Sequence, residues 1–320
     1  MKIKKFFKSI SKALLFVTIL LILLYLPSFM FRPDYMAEHD FDLGRNEAII
    51  KISKEAPDTI DVLVMGDSLS YTSVSPMQIW EEYGYTVFDA GGSGQKISET
   101  YDTLKVALEK QHPKIVLLET NAIFRKENDG RDNVSALSGK IYDACPLLKY
   151  HNVWKTPFVR RTGRDYKGYH VNTSVRPYDG GEYLEKTDEC MTIATENMRA
   201  FKKVKELCDE NGIMLILYSA PSPRCYNTKK INAVKALASA EACEYLDLNQ
   251  EVENLGINWA KDTRDKGDHL NSFGTRKTTD YIGKYLHSLD VLKDRSNDEK
   301  LSDWHEIYAQ YKKAEKKKGF

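Results

Sequence analysis

The longest apolar stretch runs from Ala13 to Leu26 without a charge and resumes, after Pro27 and Ser28, at Phe29, Met30 and Phe31. About 19 such residues in a helix span the hydrocarbon core of a bilayer. Bulky residues, SFMFRPDYM, close the stretch where a cleaved signal peptide would carry small ones, so the pattern predicts an uncleaved anchor over residues 13–31. Beyond residue 57 the pattern changes to short runs rich in Val, Ile and Leu: Ile60 to Met65, Thr86 to Asp89, Lys114 to Leu118, Ile213 to Tyr218 and Glu244 to Leu248. Between the third and fourth runs, Ala194, Met198, Phe201, Val204 and Cys208 recur at spacings of three and four, and Asn211-Gly212 supplies a helix stop just before the next run. Continuous apolar strands alternating with amphipathic helices predict an α/β fold, a five-stranded parallel sheet covered on both faces by helices.

Other segments break this rhythm. Residues 1–12 form a basic segment, residues 32–57 a linker, residues 58–290 the globular domain and residues 291–320 a charged tail ending in YKKAEKKKGF. A last helix is expected over about Thr275 to Leu289. Within the domain, residues 125–189 are rich in charge, Gly and Tyr (Tyr142, Tyr150, Tyr166, Tyr169, Tyr178, Tyr183) and add Trp154. They read as an insertion over the top of the sheet, where the aromatic rings either stack on sugars or pack the insertion onto the domain. The tail reads either as a solvated helix end or as a contact for an anionic surface.

Charge adds an orientation. The chain holds 47 basic and 46 acidic side chains, which points away from nucleic acid. Five lysines and no acid precede residue 32, and lysines flanking an anchor stay cytoplasmic, so residue 32 onward belongs outside the cell membrane. With 42% hydrophobic residues, disorder is excluded for most of the length. The five cysteines (Cys145, Cys190, Cys208, Cys225, Cys243) contain no C-x-x-C pair and are odd in number, so they are no disulfide scaffold. The sequons at Asn133 and Asn172 matter only in a eukaryotic secretory pathway.

Ligands of an open parallel sheet bind beyond the carboxyl ends of its strands, so the residues after each run carry the candidate chemistry. Gly66-Asp67-Ser68-Leu69 follows the first run, where a strand-to-helix turn exposes a hydroxyl and sets the Ser68 N–H at a helix N-terminus, or where Asp67 or Ser68 merely caps a helix. Asp89-Ala90-Gly91-Gly92-Ser93-Gly94 follows the second; its glycines let backbone N–H groups approach a bound oxygen, and a tight turn needs them too. Glu119-Thr120-Asn121 ends the third and offers a side-chain amide or a helix cap. WAKDTRDKGDHLN places His269 beside Asp262, Asp265 and Asp268, the composition of a general base with an orienting acid. The same acids and histidine also read as a metal site, but no second cluster of His and Cys completes a ligand set.

These four blocks, in order over residues 60–289, resemble the SGNH (GDSL-like) hydrolase superfamily, and most closely its membrane-anchored bacterial members with a GDHLN-type last block. The resemblance implies a three-layer α/β/α, flavodoxin-like fold with Ser68 as nucleophile, His269 as base, and an oxyanion hole made by Ser68, Gly94 and Asn121. It implies no cofactor and no metal. The activity implied is acyl transfer through an acyl-enzyme on Ser68, as an esterase or an O-acyltransferase. The implied substrate is a polysaccharide or other acylated cell-surface polymer, and a membrane-bound O-acyltransferase partner is a further implication. Two positions depart from the family pattern. The acid expected three residues before the base is replaced by Lys266, which favours Asp265 as the orienting acid in a loop one residue longer, with Asp268 or a two-residue dyad as the alternatives; Glu119 replaces a glycine, a change expected to narrow the pocket. A catalytically weak polysaccharide-binding or accessory module of the same fold is the alternative.

Overall fold

The computed structural model describes residues 2–39, 47–126, 141, 144–150 and 165–320. Tyr142, Trp154 and Asn133, singled out above, lie outside the described residues. Two compact units divide the chain: residues 1–54 with 128–160, and residues 55–127 with 161–320.

In the first unit, helix α1 (Lys2–Tyr25) continues into a 3₁₀ segment (Leu26–Phe31), and residues 7–31 are long and apolar enough to cross a membrane. The expected linker instead holds two short helices, α2 (Pro33–Glu38) and α3 (Glu47–Lys54), which pack on each other. Pro33 at the first helical position and Asp34 in the first turn favour the start of α2, and the run Ala48-Ile49-Ile50 with Ile52 buries one side of α3. Ser28 Oγ lies 3.1 Å from Cys145 Sγ, just ahead of a helical turn at Pro146–Lys149.

The second unit is built on five parallel strands: β1 (Val62–Met65), β2 (Val87–Asp89), β3 (Ile115–Glu119), β4 (Met214–Ser219) and β5 (Glu244–Asp247). Their order is β2-β1-β3-β4-β5, with Val62 in register with both Val87 and Ile115, and Ile115 with Met214. This is the doubly wound order that reverses direction at β1, with its crevice between the ends of β1 and β3. Val62, Val64, Ile115, Leu117, Ile216 and Tyr218 pack on one face with Ile79 of α4 (Pro76–Tyr83), Ile231 of the helix at Thr228–Ala240, and Ile282 and Leu286 of the helix at Ser272–Ser288. The alternate residues, such as Leu63, Val116 and Leu217, are equally buried and point to the opposite face. There α5 (Ile97–Leu108) packs on α6 (Thr195–Glu210), whose Phe201, Val204 and Cys208 fulfil the periodicity read from the sequence. The two helices named by range are α7 (Thr228–Ala240) and α8 (Ser272–Ser288).

The charged tail also folds. Residues Ser302–Lys318 form α9, with Trp304 and Tyr311 fully buried against Met77, Trp80, Tyr166 and Tyr169. Aromatic side chains of this size remove about 150–250 Å² each from water, enough to hold a helix whose other faces are charged. Lys167, 3% exposed, bonds Glu55 and Asp303 and lies 4.6 Å from the Trp304 ring. In the described part of the insertion, Tyr166 and Tyr169 are therefore packing residues, and Lys167 O extends the β2 edge by accepting from Asp89 N at 2.9 Å. The five cysteines are free thiols.

Candidate active site

The crevice at the ends of β1 and β3 collects the residues that the sequence placed after each strand. Beyond Met65 the chain turns sharply at Gly66, with φ +138°, where an added Cβ would lie 2.7 Å from Glu119 Cβ. Only glycine lets β1 and β3 approach so closely there. Ser68 does not open a helix, as expected, but lies in a run of turns that reaches Ser73, and α4 begins only at Pro76. Thr72 Oγ1 donates to Ser68 O at 2.9 Å and Ser73 Oγ to Leu69 O at 2.7 Å. Hydroxyls that bond nearby carbonyls compete with helix propagation, which accounts for the turns. Asp67 is fully buried, and its Oδ1 accepts from Leu69 N at 2.9 Å.

Ser68 Oγ lies 2.7 Å from His269 Nε2, and His269 Nδ1 lies 2.6 Å from Asp265 Oδ2. Asp265 Oδ1 also accepts from the His269 backbone N–H at 2.6 Å, so the carboxylate grips base and backbone together. With Nδ1–H committed to Asp265, Nε2 is left as the acceptor facing the serine hydroxyl. The longer loop reaches because Lys266 (φ +66°) and Gly267 (φ +83°) are both left-handed, folding the extra residue out of the path between acid and base. A lysine in that region costs about 1–2 kcal/mol. Burial pushes Asp265 up, but the His269 hydrogen bonds and the Arg264 charge outweigh it and hold the carboxyl below its ordinary range. Asp268 is set aside: its Oδ1 accepts from Cys225 Sγ at 3.1 Å and its Oδ2 stays 3.6 Å from His269 Nδ1. Asp262 is buried and accepts from Asn258 N and Lys277 Nζ, both at 2.6 Å, as a structural tie of the loop.

On the other side of Ser68, Gly94 has φ +64° with only Arg125 Nη1, 4.0 Å away, near an added Cβ, so conformation and not space selects glycine. Among the described residues, the backbone N–H groups of Ser68 and Gly94 have no protein acceptor. Asn121 Nδ2 donates to Asp67 Oδ2 at 2.6 Å, and Arg125 Nε donates to the same oxygen at 2.5 Å. Asn121 Oδ1 accepts from Lys230 Nζ. Glu119 does not narrow the site: its side chain is fully buried beneath it, accepting from Asn121 N at 2.9 Å and Tyr226 Oη at 2.6 Å. Burial, followed by the nearby Asp67 charge, pushes Glu119 up to about 8. Lys230 is pushed down by burial. Lys230, Arg125 and Tyr226 carry no motif and were not singled out from the sequence; a lysine among the apolar positions that begin α7 is the only trace they leave.

Among the described residues, Asp265, Asp268 and His269 are a group with metal-ligating atoms within 4.8 Å of one another. Three donors fall short of the six to eight oxygens a hard cation takes. The His269 Nδ1 lone pair a metal would need is replaced here by an N–H directed at Asp265.

Such an arrangement, an O–H held against an imidazole that is held in turn by a carboxylate, beside two backbone N–H groups and a carboxamide, suits attack on an acyl carbon. No family model and no curated protein matches the sequence. Solved structures do. An acetyl xylan esterase is 16% identical with a TM-score of 0.38, over 72% of this chain and 100% of that one. The psychrotrophic esterase EstA from Pseudoalteromonas sp. is 11% identical with a TM-score of 0.41, over 72% and 98%. A GDSL-like lipase from Bacteroides thetaiotaomicron is 13% identical with a TM-score of 0.36, over 71% and 88%.

Proposed function

We propose that the protein is an SGNH-type, serine-dependent acyl esterase or O-acyltransferase that acts outside the cell on a cell-surface or secreted polysaccharide. The observation that carries this reading is the chain of contacts Asp265–His269–Ser68, with hydrogen bonds of 2.6 and 2.7 Å. Ser68 Oγ attacks the ester carbonyl as its proton passes to His269 Nε2. The carbonyl oxygen becomes an oxyanion facing the N–H groups of Ser68 and Gly94 and the Asn121 carboxamide. Collapse of the tetrahedral intermediate expels the alcohol, which takes the proton from His269, and leaves an acyl-enzyme on Ser68. Water then attacks in an esterase, or a sugar hydroxyl in a transferase, with His269 as base for either.

The apolar helix and its basic N-terminal flank support a single-pass anchor with the N-terminus in the cytoplasm and the site outside. Tethering concentrates an enzyme at an envelope polymer, and a membrane-bound O-acyltransferase that delivers acyl groups is the partner such a transferase needs. An acid in contact with His269, despite its altered spacing, supports turnover over the binding-module alternative.

Intact-mass analysis of the full-length protein in detergent after treatment with a serine-directed fluorophosphonate tests the reading. One adduct, absent from Ser68→Ala and His269→Ala proteins, is expected. A folded wild-type protein that takes no adduct would overturn it.

A further inference from the structure

Lys230 lies in the first turn of α7, where the Asn227 side chain accepts from its backbone N–H at 3.0 Å. Only 6% of the residue is exposed. Long cationic side chains are almost never buried unless paired with a carboxylate. Yet among the described residues no carboxylate lies within ion-pair distance of its Nζ. The ammonium is instead directed at two neutral oxygens, Asn121 Oδ1 and, at 2.9 Å, Cys225 O, and lies 4.8 Å from the ring centroids of both Phe124 and Tyr226. A methionine would fill the same space without the desolvation cost, so packing alone gives no reason for a lysine.

What the lysine does accomplish is visible at Asn121. A carboxamide in a crevice has two orientations of nearly equal shape, and only its partners choose between them. Lys230 offers a donor, so it selects the oxygen; Asp67 offers an acceptor, so it selects the nitrogen. Arg125 Nε shares the Asp67 oxygen, and Asp67 accepts one N–H of Nδ2 while the second remains for a substrate oxygen. Flipped by 180°, the carboxamide would present an oxygen to the developing oxyanion and repel it. Hydrogen bonding to a cation also draws electron density from the amide and makes its N–H a stronger donor.

We infer that Lys230 is a positioning residue for acyl transfer, locking the Asn121 carboxamide so that Nδ2 faces the oxyanion. This rests on the function proposed above. Burial lowers the basicity of Lys230, but both its protonation states keep an N–H for Asn121.

The test is a double-mutant cycle on p-nitrophenyl acetate hydrolysis by the full-length protein, with Ser68→Ala as the blank. Lys230→Met should lower kcat by about 10- to 100-fold, less than the about 10²–10³-fold for deleting an oxyanion donor, and leave KM within about twofold. In the Asn121→Ala background the same change should cost less than about twofold. Equal losses in both backgrounds would mean a structural role and overturn the inference. If Lys230→Met fails to fold, Lys230→Gln replaces it. In the wild-type protein, the Nδ2 proton held by Asp67, identified by its loss in Asn121→Ala, should exchange slowly with solvent; exchange of that proton as fast as in an exposed asparagine overturns the inference without any variant. Wild-type turnover lost in Ser68→Ala but unmoved in Lys230→Met would sink this inference alone, whereas wild-type turnover no faster than Ser68→Ala would sink the proposed function with it.

Discussion

The two sides of Ser68 are held by different physics. On one side His269 and Asp265, with side chains 14% and 32% exposed, form a chain of direct hydrogen bonds open to water. On the other, Asp67, Glu119, Asn121 and Lys230 are buried and form a cross-linked polar cluster beneath the crevice. In the proposed reaction this partly exposed side holds His269, which gains and loses a proton in each cycle, and Asp265, which orients it without taking the proton. The buried side consists of groups that should stay still, because a preorganised dipole pays no reorganisation as charge develops. The proposed function thus assigns proton movement and charge stabilisation to sides of different burial.

Substitutions should expose that division in order of size. Ser68→Ala removes the nucleophile and should lower kcat by about 10⁴-fold or more while leaving the thermal midpoint nearly unchanged. Asp265→Ala should follow, at about 10³-fold or more, because the imidazole loses both its orientation and its tautomer. Asp268→Ala should cost less than about tenfold; a larger loss than at Asp265 would reverse the assignment of the orienting acid. Asn121→Ala should lower kcat by about 10²–10³-fold with KM nearly constant, as expected for a contact made only in the transition state. All are measured by steady-state hydrolysis of p-nitrophenyl acetate.

The smallest effect is on stability, and it has opposite signs on the two sides. Glu119, raised to about 8 in the folded protein, favours folding while protonated, so its contribution is fully present below about pH 4.5 and lost as pH rises through 8. The loss is bounded by about 1.4 kcal/mol per pH unit. Asp265, depressed by its His269 contacts, contributes in the other sense: present above the ordinary carboxylate range and lost as pH falls through its folded value. Glu119→Gln should therefore flatten the decline of the thermal midpoint between pH 5 and 8, and Asp265→Asn should flatten the decline below pH 4. Parallel profiles for wild type and Glu119→Gln would show that Glu119 titrates normally.

What was legible in the sequence follows the same line. The five strands announce themselves as apolar runs because both faces of the sheet are covered; Ser68, Gly94 and Asn121 follow strand ends and His269 precedes α8, each within a short, ordered block. The sequence favours Asp265 over Asp268, but its spacing does not reveal the two consecutive left-handed residues, Lys266 and Gly267, on which the contact depends. Glu119 was misjudged as a pocket wall, because its burial depends on the close approach at Gly66 and on Tyr226, more than a hundred positions away. Lys230 and Arg125 were missed for the same reason: each acts through one long-range contact, and such contacts have no period. The tail reads as a solvated helix end among its lysines; what the charge conceals is that two of its rings, Trp304 and Tyr311, are buried.

That last helix bears on how the protein is made. Ser75, which leads into α4 just after the nucleophile turn, donates its N–H to Thr279 Oγ1 at 2.9 Å and its Oγ to Tyr311 Oη at 3.2 Å, a partner 236 positions later in the chain. At about 5–20 residues per second, the ribosome needs about 10–50 s to travel that distance. Throughout that interval the nascent chain carries Ser68 on a segment whose braces have not yet been synthesised. His269 also arrives late, 201 positions after the serine it faces. The contact between Ser68 and His269 therefore cannot form until residue 269 has been made, and the tie from Ser75 to Tyr311 closes later still.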